Sequence, residues 1–118
     1  MSADKNQPVQ QLQQNAAKAA AILRVLANDR RLMVLCELVQ AGERSVTELE
    51  QACGISQSAL SQHLAKMRRH GVVQARRSAQ TVFYSVASAE VMTLLDTLCR
   101  LYGKPSEQPE IQRRRVGG

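Results

Sequence analysis

SQSALSQHLAKMRRHGVVQARRSAQTVFYSV, residues 56–86, decides the fold. Ser56 is placed to cap a helix running to about His70. Leu60, Leu64 and Met67 fall on one face at i, i+4, i+7 spacing, and Gln57, Ser58, Ser61 and Gln62 fall on the other. Gly71 stops that helix. Val72–Ala75 and Thr81–Val86 then supply two β-rich runs, and the polar Arg77-Ser78-Ala79-Gln80 between them fits a hairpin tip. A helix with an apolar seat and a short polar front, followed by a basic hairpin, is the pattern of a winged helix-turn-helix. Such a helix can enter a major groove.

The flanking segments complete one domain. Ser45-Val-Thr-Glu48 is a capping box ahead of a short helix through Leu49 and Ala52. Gly54 allows a tight turn, and Ile55 plugs the core between the two helices. Upstream, Asn28 or Asp29 can cap a helix whose stripe is Leu32, Leu35, Cys36 and Val39, and Gly42 ends it. Leu12, Ala16, Ala19, Leu23 and Leu26 recur at helical spacing before that. Downstream, Val91, Leu94, Leu95, Leu98 and Leu101 mark a last helix capped by Ser88, with Glu90 in its first turn.

The expected fold is mainly α with a β-hairpin wing, in the order ααααββα. The domain spans residues 9–104, between a loose arm at 1–8 and a basic tail at 105–118 that carries Arg113, Arg114 and Arg115. Helices near 10–27 and 89–102 hold more apolar surface than so small a domain can bury. They are expected to pack against their copies in a homodimer.

Placement of charge says more than its total. The 118 residues carry a net charge of +6, yet every carboxylate lies at or before Glu50 or at or after Glu90. Lys66, Arg68, Arg69, Arg76 and Arg77 stand unopposed between them, which suits phosphates and predicts affinity that falls with salt. An ordinary solvated face is the alternative for a charge run alone. No apolar stretch approaches the roughly 20 residues of a membrane span, and the polar start does not resemble a signal peptide, so a cytoplasmic location is expected. Cys36, Cys53 and Cys99 lie far apart with no CxxC, as expected of thiols in a reducing compartment.

Gln57, Ser58, Ser61 and Gln62 have the side chains for direct base readout, Gln by paired hydrogen bonds to adenine. His63 lies at the margin of the two faces, where it either donates to phosphate or bridges to the preceding short helix. Lys66, Arg68 and Arg69 are placed for the DNA backbone, while Arg76, Arg77 and Gln80 belong to a wing that follows phosphates or enters the minor groove. Tyr84 has two open roles, a phosphate contact through its hydroxyl or a half-buried strand aromatic.

LANDRRLMVLCEL, SVTELEQACGISQSALSQHLAKMRRHGVV and QTVFYSV resemble the ArsR family of winged-helix repressors over about residues 12–102. The resemblance implies a cytoplasmic homodimer that binds an imperfect palindrome in double-stranded DNA and lets go when an inducer changes the dimer. It also implies that Gln57, Ser58, Ser61, Gln62 and His63 are recognition-helix contacts and that Arg77 belongs to the wing. Metal-sensing members carry cysteines where this chain has Ser45 and Thr47, or Asp and His pairs on a last helix that here offers Asp96 and no histidine. No metal site and no cofactor are therefore expected.

Within the family, the chain resembles the persulfide-sensing HlyU, BigR and SqrR branch. Cys36 matches that branch's first sensor cysteine, and the second would fall at Gly103. Cys99 lies one helical turn earlier, about 6 Å along the axis, while a direct disulfide needs Cα atoms within roughly 7 Å. Cys36 and Cys99 are thus candidate redox residues answering to a reactive sulfur species or oxidant. The other reading makes both packing residues, in a repressor controlled by another ligand or by DNA competition.

Catalysis finds little support. Ser61 and His63 face apart at i, i+2, neither histidine has an acid–base partner, and no glycine-rich phosphate loop is present. A winged helix used for protein or RNA contact is a third reading, separated from the first by salt-dependent, sequence-selective duplex binding.

Overall fold

A computed structural model describes residues 3–103, with side chains from residue 7 onward. Its elements are α1 (Ala3–Gln14), α2 (Ala16–Leu26), α3 (Asp29–Ala41), β1 (Arg44–Ser45), α4 (Val46–Cys53), α5 (Gln57–Arg69), β2 (Val73–Ser78), β3 (Thr81–Val86) and α6 (Ala89–Tyr102). The expected winged-helix order is present, with two additions. The first expected helix is divided at Asn15, and the two-residue β1 joins the hairpin in a three-stranded antiparallel sheet ordered β1-β3-β2. Residues 3–8, expected as part of a loose arm, are helical, with Pro8 inside α1 at the cost of one backbone hydrogen bond. The tail expected at 105–118 lies outside the described residues.

Local chemistry accounts for the helix boundaries. The Asn28 side chain accepts from the Arg31 N–H, Ser56 Oγ from the Ala59 N–H, and Ser88 Oγ from the Val91 N–H. Both arms of the Ser45–Glu48 capping box are made, at 2.9 and 3.2 Å. Gly54 ends α4 in the left-handed region at φ +66°, the conformation that turns the chain between α4 and α5.

One core gathers these elements. It holds Leu35 and Leu38 from α3, Leu49 from α4, Ile55 from the turn, Leu60, Leu64 and Met67 from α5, and Val91 and Leu95 from α6. The buried face of α3 is Val34, Leu35 and Leu38, while Cys36 and Val39 of the expected stripe are exposed. The apolar run LMVLCELV wraps most of the helix, so spacing alone could not choose its inner side. Among the described residues, no helix is long and apolar enough to cross a membrane.

Candidate nucleic-acid interface

Helix α5 is seated by Leu60, Leu64 and Met67, which are fully buried, and this turns Gln57, Ser58, Ser61 and Gln62 to solvent together. Lys66, Arg68 and Arg69 follow on its last turns, also exposed. The wing stands beside it as β2 and β3, in a register that pairs Arg76 with Phe83 and Arg77 with Val82. The strands extend to Ser78 and Thr81, so the tip is only Ala79-Gln80, and Arg77 and Ser78 belong to β2 rather than to the turn. Ala79 takes a positive φ of 56°, as a two-residue hairpin turn demands.

Two expected contacts are engaged within the protein. The Arg76 guanidinium donates to both carboxylate oxygens of Glu43 at 2.8 Å and lies 5.1 Å from the centroid of Phe83. This two-point clasp raises the Arg76 pKa and lowers that of Glu43, in each case chiefly through the hydrogen bonds between them. Arg76 thus fastens the wing to the corner between α3 and β1. Arg77 and Gln80 remain exposed on the outer part of the hairpin.

His63 bridges to α3, not to the short helix before α5. Its Nδ1 lies 3.4 Å from the Arg31 guanidinium, which also donates to the Val25 carbonyl at 2.6 Å and the Arg24 carbonyl at 3.5 Å. Arg31 therefore ties the end of α2, the start of α3 and the middle of α5 into one junction. Burial first, then the charges of Arg31, Arg30 and Lys66, hold the His63 pKa below the usual imidazole value.

A depressed pKa on a base favours the neutral ring in the folded state. Folding stability should then be fully present above about pH 6.5 and fall as pH drops through that value toward the lowered folded one, because the unfolded chain takes the proton first. Urea midpoints of wild type and His63→Gln between about pH 8 and pH 5 should diverge only below about 6.5, with the variant less affected. Parallel curves would remove His63 from this role.

Cys36 and Cys99 are both exposed thiols and line one open groove of about 340 Å³ between α3 and α6, with Leu32, Leu95 and Leu98. Desolvation, and secondarily the nearby Cys99, push the Cys36 thiol up. Desolvation likewise raises Cys53, with smaller contributions from Glu37 and Cys36. At Gly103 an added Cβ would fall 2.5 Å from the Cys99 carbonyl oxygen, which also accepts the Gly103 N–H at 2.7 Å. A side chain at this position would therefore require the last turn of α6 to shift. Among the described residues, no group of three or more His, Cys, Asp or Glu could hold a metal ion, and Ser45 is used in its capping box.

Sequence reasoning missed Arg31 and Glu43. Each acts on a residue more than 30 positions away, and neither sits in a local motif that would mark it.

Residues 28–75 match the family model described as "Bacterial regulatory protein, arsR family". The transcriptional activator HlyU of Vibrio cholerae is 50% identical over 94 residues, covering 80% of this chain and 86% of that protein. The chain belongs to the ArsR family. A biofilm growth-associated repressor of Agrobacterium fabrum is 38% identical over 100 residues, covering 85% of each. Among solved structures of ArsR relatives, reduced HlyU from Vibrio cholerae matches with a TM-score of 0.75 at 49% identity, over 80% of this chain and 99% of that one. The repressor BigR of Xylella fastidiosa matches with a TM-score of 0.74 at 38% identity, over 79% and 94%. ArsR proteins of this kind are DNA-binding transcriptional regulators rather than enzymes, and the chain is one of them.

Proposed function

We propose that this regulator is a cytoplasmic repressor that binds a palindromic operator as a homodimer and is released by thiol chemistry at Cys36 and Cys99. The observation that carries the DNA half is the face of α5: a solvent-facing row of Gln57, Ser58, Ser61 and Gln62 above a buried Leu60, Leu64, Met67 seat, with no carboxylate from Gln51 to Ala89. Gln57, Ser58, Ser61 and Gln62 read base edges. Lys66, Arg68, Arg77 and Gln80 hold phosphates, while Arg76 and His63 position the wing and the recognition helix.

Support for the dimer is the unpartnered apolar surface. Leu12, Leu23, Met92, Leu94, Leu101 and Tyr102 are all exposed, and all stand on α1, α2 or α6. Two copies of α5 held by those helices would meet two half-sites one helical turn apart. Support for the switch is the shared groove of the two thiols, and a solved relative is named as the reduced form. The raised Cys36 pKa favours the second reading, in which another ligand controls the repressor, because a less ionised thiol is a slower nucleophile.

One experiment separates these readings. A promoter fragment from the protein's own locus is titrated with reduced and polysulfide-treated protein, while mass spectrometry follows all three cysteines and sedimentation gives the oligomeric state. Selective duplex binding by a dimer, lost as Cys36 and Cys99 gain sulfur, is the expected result. Unchanged affinity and thiol masses would remove the cysteine switch, and a monomer at micromolar concentration would remove the dimer.

A further inference from the structure

Between the exposed face of α5 and the base of the wing lies an open notch of about 400 Å³, lined by Ser61, Ala65, Arg68, Arg69 and Tyr84. The α5 contributors follow one another at i, i+4, i+7 and i+8, so they form a single stripe of the helix, with Tyr84 on β3 facing them across the gap. Every polar side chain in this set can donate a hydrogen bond, and two of them are cationic.

Among the described residues, the guanidinium groups of Arg68 and Arg69 and the hydroxyls of Ser61 and Tyr84 have no hydrogen-bond or salt-bridge partner. This is unlike Arg44, Arg76 and Arg100, each of which holds a carboxylate. Ala65 leaves the notch open where a longer side chain would fill it. The notch is open on one side, as a passing chain requires, and it adjoins the face of α5 assigned above to base readout.

We infer that this notch is a seat for one phosphodiester of the DNA backbone. A phosphodiester carries one negative charge and accepts hydrogen bonds through its oxygens, which suits the arginine fork and two hydroxyl donors. Ser61, on the notch side of the base-reading row, can donate its hydroxyl to that phosphate while its oxygen still accepts from a base edge, and the seat fixes the rotational setting of α5 in the groove by gripping one phosphate between helix and wing. Tyr84 has both of its sequence-derived roles at once: its ring packs against the core and its side chain walls the seat. The inference rests on the DNA-binding reading and adds to it the identity of one backbone contact.

The test replaces single phosphates of an operator-bearing duplex with neutral methylphosphonates and scans wild type, Tyr84→Phe, Arg69→Gln and Ala65→Gln. Ala65→Gln fills the notch with an exposed helix-compatible side chain and leaves the core untouched. In wild type, one position per half-site should weaken binding strongly when neutralised. In all three variants that position should lose its effect, while the others keep theirs. Affinity for every duplex should fall about tenfold with base preference unchanged, and the salt dependence should flatten by about one counterion per protomer in Arg69→Gln and Ala65→Gln, while Tyr84→Phe, which removes no charge, keeps the wild-type slope. Thermal midpoints identical to wild type would show that the fold is kept. Variants that retain the wild-type interference profile and affinity would overturn the seat while leaving DNA binding in place. Failure of wild type to bind any duplex would overturn both. A variant that loses base preference as well would overturn the assignment to phosphate.

Discussion

Leu60→Ala should lower the free energy of unfolding by about 2–5 kcal/mol, the range for removing a buried leucine side chain from a packed core. Leu60 is wholly inaccessible to solvent and sits where α5 meets the common core. Domains of this size are held by only about 5–15 kcal/mol, so the change takes a large share of the total. Urea unfolding gives the value, and duplex affinity measured on the remaining folded protein should fall as well, because α5 loses the seat that presents its polar face. A loss below about 1 kcal/mol would mean that the helix is not anchored as the structure places it.

Gln62→Ala should weaken binding to the cognate operator by about 5–150-fold, the equivalent of about 1–3 kcal/mol for one lost bidentate base contact, and leave non-specific duplex binding almost unchanged. Arg77→Ala should act in the opposite manner, weakening every duplex to a similar degree and reducing the salt slope by about one per protomer. The contrast follows from position: Gln62 lies in the middle of the exposed face of α5, and Arg77 lies on the outer hairpin opposite Val82. Competition titrations with operator and scrambled duplexes at several salt concentrations measure both effects. Equal losses on all sequences from both variants would end this division between base-reading and backbone-holding residues.

The sequence was most legible where the physics is local. A cap acts within three residues, so Asn28, Ser45 with Glu48, Ser56 and Ser88 announce their helices, and each makes the expected bond. The Leu60, Leu64, Met67 seat was equally plain, because its opposite face is polar. On α3 that contrast is missing, and the buried side came out rotated from the expected one. Features that depend on distant pairing were not legible. The two-residue β1 exists only because Arg44 and Ser45 pair with Tyr84 and Phe83, and the engagement of Arg76 depends on Glu43, 33 positions away. Pro8 signals an end to helix when read alone, yet α1 continues through it.

Helix α3 connects the two grips and the thiol groove. Near its first turn Arg31 grips the recognition helix through His63, midway it presents Cys36 to the groove against α6, and just beyond its last turn Glu43 grips the wing through Arg76. It is a single shaft with a handle in the middle and a grip at each end. A tilt of that shaft, however small, would turn α5 and the wing together, so the two halves of the proposed DNA clamp would lose their alignment with the duplex in one movement rather than in succession.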